Sequence, residues 1–264
     1  MGALLAALAL WPCASRAQGA AVQLEELSWT ELRARIAGGA TTVLVPLGGT
    51  EQSGPHLALG KHNVRVRLLA TRIAQELGNA IVAPVLAYVP EGDIEPPTQH
   101  MRWPGTISIP STVFEATLVA AARSFRKHGF CHVVLLGDHG GYRASLDRVA
   151  TRLNREWAPH SGCRAHALPE YYRAASTDFA QMLRSRGFSD AEIGSHAGLA
   201  DTSLALAVDA TMVHRDAAPA APGRRQADDG VSGDPSRASA ELGRLGLAHI
   251  VTTSVAAIRA ATAP

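Results

Sequence analysis

The chain has 264 residues, of which 47% are hydrophobic and 18% charged, and its formal net charge is +2. This composition is ordinary for a globular protein and suffices for one large α/β domain with a sizeable core. The small net charge and the dispersed arginines argue against a nucleic-acid-binding face, so we expect a small-molecule or peptide substrate and no nucleic acid.

The first 17 residues have features of a signal peptide. An apolar run from Ala3 to Trp11 is followed by small residues, and Ser15 to Ala17 resembles a signal-peptidase site, which predicts a mature chain that begins at Gln18. The positive n-region is missing, and the run is too short for a permanent membrane helix. We therefore predict a periplasmic or secreted protein without stable membrane insertion, with a cytoplasmic enzyme as the alternative.

Helical and strand-like segments alternate after this leader. Helices are predicted at Trp29–Ile36, 64–77, 111–128, 143–157 and 240–261, and apolar strands within 41–49, 79–89 and 132–137. Such alternation predicts one domain over 18–264, a three-layer α/β/α fold with a mostly parallel central sheet. The Pro-rich segment 91–106 and the segment 217–239 are predicted loops, and the length of 91–106 is typical of a lid or a binding loop.

Three cysteines occur in the chain, and Cys13 belongs to the predicted leader. Cys131 and Cys163 could form a disulfide in an oxidising compartment. Because Cys131 opens an apolar strand, we favour a free thiol that acts as a small hydrophobic side chain.

Metal-binding residue types cluster near the ends of predicted strands. Glu51, His56 and His62 lie within twelve positions, and His139 lies in a glycine-bounded turn after an apolar strand. Catalytic zinc sites commonly use three such carboxylate and imidazole ligands. No fixed motif such as HExxH is present, so hydrogen bonds from His56 and His139 to loop backbone are an equal alternative on these residues alone.

Five segments in the same order resemble the creatininase (creatinine amidohydrolase) family over about 43–239. They are PLGGTEQSGPHLALGKHN, HMRWPGTISI, LLGDHGGY, SHAGLADTS and GVSGDPSRAS. The resemblance implies a creatininase-like fold, metal-dependent hydrolysis of an amide and a homo-oligomer, for which a hexamer is common in the family.

The resemblance also implies roles for single residues. Glu51 and His139 match metal ligands of the family, whereas Ser53 stands where two-metal members have a His ligand, and His62 stands where they have a bridging Asp. Gly141 stands where creatininase has a further carboxylate. Losing these groups argues against a two-metal site, so we predict one divalent ion, zinc rather than manganese, held by Glu51, His62 and His139.

Three further polar residues are candidates to support this ion. His56 is a candidate for an additional ligand or for an outer-shell partner that orients an imidazole, as is Asp201. Asp138 precedes His139 and is either a carboxylate of the outer shell or a turn residue.

Catalytic and substrate-contacting roles are assigned by the same resemblance. His196 matches a family His close to the substrate and is the predicted general acid/base, with capping of the helix at Thr202 as its structural alternative. Asp201, its predicted catalytic partner, replaces a family Glu. His100 and Trp103 belong to the loop expected to close over substrate, and Trp103 is favoured as a packing anchor. For Lys61 we favour a solvated side chain over a partner of a substrate carboxylate.

The predicted function is hydrolysis of a cyclic or other non-peptide C–N amide bond of a small molecule, with metal-bound water as nucleophile and His196 protonating the departing nitrogen. Creatinine itself is not the expected substrate, given the altered second metal position. The alternative is a non-catalytic metal- or ligand-binding member of the same fold. A third interpretation, LGDHGG as a phosphate-binding loop, is disfavoured because its spacing matches no nucleotide-binding pattern.

Overall fold

A four-stranded parallel sheet forms the centre of the molecule. The computed structural model describes residues 21–159, 162–217 and 229–263, so the predicted leader and part of the predicted 217–239 loop lie outside the described residues. The strands are β1 (Thr42–Leu47), β2 (Ala80–Val82), β3 (His132–Gly137) and β4 (Arg164–Ala167), and their spatial order is β2-β1-β3-β4. All three strand pairings are parallel, as predicted.

The apolar strands are buried on both faces. All six residues of β1 are buried, and its side chains alternate between two apolar clusters. Leu44 belongs to one cluster, and Val43 and Val45 belong to the other. A parallel strand covered by helices on both sides needs apolar residues at every position, which explains the uninterrupted apolar runs in the sequence.

Helices cover the two faces of the sheet. They are α1 (Trp29–Ala37), α2 (Lys61–Leu77), α3 (Ser111–Lys127), α4 (Arg143–Trp157), α5 (Pro169–Arg173), α6 (Phe179–Arg184), α7 (Asp190–Ile193), α8 (Leu199–Val208) and α9 (Ala240–Ala261). α1, α3 and α4 pack on one face, and the others pack on the opposite face. The three-layer prediction is therefore confirmed. No helix among the described residues is both long enough and apolar enough to cross a membrane.

Some element boundaries differ from the predictions. Only Ala80–Val82 of the predicted strand within 79–89 pairs continuously, and the rest makes isolated bridges such as Leu47 to Leu86. Pro84 in this segment has no N–H for a ladder, and Pro90 directly follows the segment, which limits regular pairing. β4 was not predicted because RAHA is short and only partly apolar, and Cys131 and Cys163 are free, as favoured.

α2 begins at Lys61, three residues before the predicted start. Its first turn therefore contains Lys61 and His62, and Arg65 follows one turn later. All three side chains are buried and point toward the carboxyl edge of the sheet, where they contact Glu51 or Asp138.

Candidate metal centre

The candidate site lies at the carboxyl edge of the sheet. Glu51 follows β1, and Asp138 and His139 follow β3 directly. Because β1 and β3 are adjacent and parallel, their carboxyl ends meet at the same edge, where α/β folds place their ligands. The segment after β2 brings Glu91 to this edge, and the first turn of α2 brings His62.

Glu51 is the central residue of the site. Its side chain is fully buried, and its Oε1 lies 2.8 Å from His62 Nε2 and 3.4 Å from Lys61 Nζ. Its Oε2 lies 3.1 Å from His100 Nε2 and 3.5 Å from His139 Nε2. The two oxygens thus face different groups, which we name the Oε1 side (Lys61 and His62) and the Oε2 side (His100 and His139).

A four-residue metal-type cluster is built around the Oε2 side. Glu51, Glu91, His100 and His139 each offer one ligand atom, and these atoms all lie within 4.8 Å of one another. Glu91 reaches the cluster through His139, whose Nδ1 is 3.3 Å from Glu91 Oε2. Two imidazoles with two carboxylates form a donor set that suits zinc and also manganese.

The carboxylate oxygens of this cluster lack ordinary partners. Glu51 Oε2 and both oxygens of Glu91 are buried and have no hydrogen-bond partner among the described residues. The nearby histidine nitrogens are within ion-pair distance, yet their contacts lack hydrogen-bond geometry. Buried carboxylates without partners are costly, and a divalent cation would satisfy both. The residues present therefore fit a bound metal ion.

The charge state of the cluster supports the same conclusion. Burial, followed by the charge of Glu51, raises the pKa of Glu91 to about 9. Burial also opposes ionisation of Glu51, but Lys61, His62 and His139 outweigh it and hold the pKa of Glu51 well below its ordinary value. Burial lowers the pKa of His139 to about 3, so its imidazole is neutral, the form that binds a metal.

Asp138 orients His62 from the second layer of the site. Its Oδ2 is 2.6 Å from His62 Nδ1, and its carboxylate accepts hydrogen bonds from Arg65 Nε at 2.9 Å and from Tyr171 at 2.7 Å. Burial opposes ionisation, but Arg65, His62 and Tyr171 together outweigh it and keep the pKa of Asp138 below its usual value. This carboxylate–imidazole contact is the kind that fixes the orientation of a metal-ligating histidine.

Lys61 is buried, so the interpretation of a solvated side chain was wrong. It is 4% exposed, and its Nζ donates to Asp201 Oδ2 at 3.3 Å. Asp201 also accepts from Arg65 Nη1 at 3.2 Å and from the Ala197 backbone N–H at 3.0 Å. The carboxylate of Asp201 is therefore saturated by fixed donors, and its predicted catalytic or ligand role remains a prediction.

His196 faces the Oε1 side with one nitrogen. Its Nε2 is 3.0 Å from the backbone oxygen of Gln52 and 3.3 Å from the Gln52 side-chain nitrogen, so Gln52 holds this edge of the ring. Nδ1, on the opposite edge, lies 3.9 Å from Glu51 Oε1. Backbone hydrogen bonds with Ser232, from the GVSGDP segment, hold the backbone at His196 in place.

His56 contacts a side chain of α8 rather than the metal-type cluster. Its Nε2 is 3.0 Å from Thr202 Oγ1 in α8, and it lies outside the four-residue cluster. His56 as an additional ligand therefore remains a prediction.

Backbone strain occurs beside two of the site histidines. Gln99 and Ala197 are the non-glycine residues with positive φ among those described, at +47° and +54°. They immediately precede His100 and follow His196. Strained residues of this kind often mark functional sites, where the surrounding packing holds a side chain in one orientation.

A cavity of about 440 Å³ opens over the cluster. Its size is within the range of small-molecule sites. Trp103 is half-buried and is absent from the described residues that line the cavity, so its substrate contact remains a prediction. The polar lining comprises Lys61, His62, Arg65, His100, Asp138, His139, Tyr172, Ser176, Thr177, Arg184, Ser195, His196 and Asp201.

The structure thus brings most of the predicted residues together and adds others. His139 and His62 both lie next to Glu51. His100, which was predicted to contact substrate, also lies within ion-pair distance of Glu51. Glu91 was missed, although it directly follows an apolar segment and opens the long loop, much as Glu51 follows β1. Arg65 gave no sequence signal, because a lone Arg in a helix is usually solvated.

The chain resembles characterised hydrolases. Residues 25–258 match the family model described as "Creatininase: Creatinine amidohydrolase". A creatinine amidohydrolase of Pseudomonas putida is 28% identical over 196 residues, which cover 72% of this chain and 73% of that enzyme. A mycofactocin precursor peptide peptidase of Mycolicibacterium smegmatis is 34% identical over 129 residues; the match spans 45% of this chain and about half, 49%, of that peptidase.

Solved structures give the same result at the level of the whole fold. A structure described as "Creatininase Mn" superposes with a TM-score of 0.77 at 26% identity and covers 92% of this chain and 100% of that one. A mutant creatininase of the "Zn-Zn type" superposes with a TM-score of 0.73 at 27% identity, covering 92% and 99%.

Proposed function

The chain belongs to the creatininase family, and we propose that it is a metal-dependent amidohydrolase that cleaves a cyclic or other non-peptide C–N bond of a small molecule. The observation that carries this proposal is the buried cluster of Glu51, Glu91, His100 and His139 beneath the cavity, with carboxylate oxygens that no described residue satisfies. Relatives of the chain hydrolyse creatinine or a precursor peptide, so hydrolysis is the reaction class of the family.

We assign one divalent ion, zinc rather than manganese, to the Oε2 side. Glu51 and His139 are common to this assignment and to the sequence prediction, which added His62. On the Oε1 side both nitrogens of His62 are engaged, by Glu51 and by Asp138, and the Lys61 ammonium would repel an ion. His100 and Glu91 are the further donors on the Oε2 side, where the oxygens lack partners.

Glu51, Glu91, His100 and His139 would hold the ion, which when bound would supply Lewis-acid activation of an amide carbonyl and of water. The protein's own residues supply the proton transfers and the positioning. His196 directs Nδ1 toward Glu51, and Gln52 holds the ring at Nε2, so we assign to this imidazole the transfer of a proton to the departing nitrogen. Asp138 holds His62 against Glu51 and thereby fixes the orientation of the Glu51 carboxylate.

The cavity favours a polar substrate larger than a single small ring. Its volume of about 440 Å³ and its lining of charged and imidazole groups fit an amide that carries a further polar or anionic group. Creatinine is not the substrate we propose.

Hydrolysis can be tested with an amide panel. The zinc-reconstituted protein would be assayed against lactams, hydantoins, formamides, acyl amides and short peptides, with Glu51→Gln and the exposed Glu25→Gln as a matched pair. We expect turnover of a non-peptide amide that Glu51→Gln abolishes and Glu25→Gln leaves intact. A Glu51→Gln protein that keeps both its metal and its turnover would contradict the proposal. Cleavage of peptides alone would change the substrate class from non-peptide amides to peptides.

A non-catalytic metal-binding protein is the second candidate. The Ser53 hydroxyl is buried without a hydrogen-bond partner among the described residues, at a position where two-metal family members have a ligand, and Asp201 is occupied by Lys61 and Arg65. This candidate predicts about one equivalent of tightly bound metal and no turnover of any amide in the same panel.

A further inference from the structure

Lys61 is a buried cation in the wall of the cavity. It is 4% exposed, although lysine is among the side chains that are least often buried without a partner. It begins α2, whose first turn fixes its position next to Glu51.

Two of the three N–H donors of the Lys61 ammonium face acceptors among the described residues, which leaves one donor for a ligand. One N–H donates to Asp201 Oδ2 at 3.3 Å, and a second faces Glu51 Oε1 at 3.4 Å. An ammonium has three donors, and Lys61 also lines the cavity, so the third is available to a bound molecule.

The carboxylates around Lys61 are committed to fixed cations. Asp201 accepts from Lys61, from Arg65 and from the Ala197 backbone, and Asp138 accepts from Arg65 and Tyr171. A second divalent ion on the Oε1 side would have to displace Lys61 from both Asp201 and Glu51. No free carboxylate remains on this side to compensate for that displacement among the residues that the structure describes.

We propose that the Lys61 ammonium is the second cation of this centre: it occupies the Oε1 side of Glu51, limits the centre to one divalent ion, and donates its remaining N–H to the carbonyl oxygen of the bound amide. This inference rests on the proposed function, because it takes the Oε2 side as the metal site. A bound metal ion and the Lys61 ammonium would then lie on the Oε2 side and the Oε1 side of Glu51, and both would polarise the amide carbonyl.

The test is a zinc titration of the metal-free full-length chain by calorimetry, with the bound metal counted by elemental analysis after dialysis. Wild type and Lys61→Arg, which keeps the charge, are expected to saturate at one equivalent. Lys61→Met removes the charge but preserves the length of the side chain, and it frees Glu51 Oε1 and Asp201 Oδ2 close to His196 Nδ1. This variant is expected to bind a second equivalent. Lys61→Gln provides an independent neutral variant if Lys61→Met does not fold.

The outcomes separate the two proposals. Two equivalents in wild type, or one equivalent in both folded neutral variants, would overturn the role of Lys61 and leave the metal-dependent hydrolase intact. A wild-type protein that binds no zinc would instead overturn the proposed function. With any amide that the panel identifies, Lys61→Met is expected to lower kcat about 10²–10³-fold, as does the loss of one donor to a developing oxyanion. An unchanged kcat would contradict the contact with the carbonyl oxygen.

Discussion

Glu91 is a member of the metal-type cluster that the sequence did not predict. It is fully buried, neither of its oxygens has a hydrogen-bond partner among the described residues, and it lies 3.3 Å from His139. Because burial and the nearby Glu51 disfavour its ionised form, a carboxylate at this position is costly without a cation. A bound cation would offset this cost, and we therefore propose Glu91 as a metal donor.

Glu91→Gln is therefore expected to weaken zinc binding. The substitution keeps the shape of the side chain but removes a donor carboxylate. Because loss of even an outer-shell partner costs about 10–100-fold in metal affinity, we expect at least such a loss. Competition with a chromophoric chelator measures the affinity. Glu95→Gln, an exposed change in the same loop, is the matched control, and equal affinities for the two variants would contradict a role for Glu91 at the metal.

A comparison of two variants tests whether His100 or His62 binds the metal together with His139. His100→Ala removes a donor on the Oε2 side, whereas His62→Ala removes the ring between Glu51 and Asp138. We expect His100→Ala to lower zinc affinity by at least about tenfold and His62→Ala to lower it less. Metal content after dialysis against a weak chelator measures both. The reverse order would favour the ligand set predicted from the sequence, with His62 in place of His100.

At the scale of elements, the site depends on how closely α8 and α9 pack. α8 carries Asp201 and Thr202, and α9 crosses it through Gly243 and Gly246. A Cβ on Gly243 would lie 1.9 Å from the Ser203 backbone oxygen, so the helices could not keep their present distance. Glycine at this position is required by the close approach of two backbones, although it is a poor residue for a helix interior.

Gly243→Ala is expected to destabilise the protein. Alanine favours the helix by about 1 kcal/mol, but a contact with a backbone atom cannot be relieved by a side-chain rotation, and overpacking costs about 1–3 kcal/mol. We expect the cost to exceed the gain and the Tm to fall by several degrees. Thr252→Ala on the exposed face of α9 is the control and should be nearly neutral. A Tm equal to or above wild type for Gly243→Ala would contradict the packing described.

At the scale of the whole molecule, buried neutral histidines link folding to pH. Burial lowers the pKa of His139 to about 3 and those of His166 and His196 to about 4, from an ordinary value of 6.5. Unfolding exposes these rings, so below pH 6.5 the unfolded chain binds more protons than the folded one. The stability of the folded state therefore decreases as the pH is lowered. Glu91 acts in the opposite direction, because its pKa of about 9 lies above the ordinary 4.5 and its contribution is lost as the pH rises.

The metal-free protein is therefore expected to be most stable at about pH 6–7, with stability falling toward pH 4 and more gently toward pH 9. Thermal unfolding in chelator across this range measures the profile. His166, which lies outside the metal centre beside His132, allows a clean test. His166→Gln should flatten the acid side, and an unchanged acid slope would contradict the assignment.

Export and assembly are also properties of the whole molecule. We propose that residues 1–17 are removed during export to the periplasm or beyond, so the intact mass of protein recovered from that fraction should correspond to a chain that begins at Gln18. Protein found only in the cytoplasm at full length would contradict this. We also propose a homo-oligomer, which light scattering of the purified protein would test against a monomer of 27.7 kDa for the uncleaved chain.

Local sequence patterns predicted the fold class correctly and indicated the strand ends at which the candidate site lies. Apolar runs of fixed length and helical spacing are local patterns, and they identified β1, β3 and most helices, while the ordered motifs placed Glu51 and His139 after adjacent strands. β4 was not predictable, since its pairing depends on neighbours that are distant in the chain, whereas Pro84 is a local signal for the short extent of β2.

Only the tertiary structure decided which side chains meet at the centre. Glu91, Lys61 and Arg65 are charged residues that the sequence would place in solvent, and they are buried because three separate segments converge on Glu51. Burial and partnership are set by contacts between segments far apart in the chain, whereas residue type is local. The sequence therefore indicated the kind of centre, and the packing of the layers assigned metal-type donors to one side of Glu51 and a fixed cation to the other.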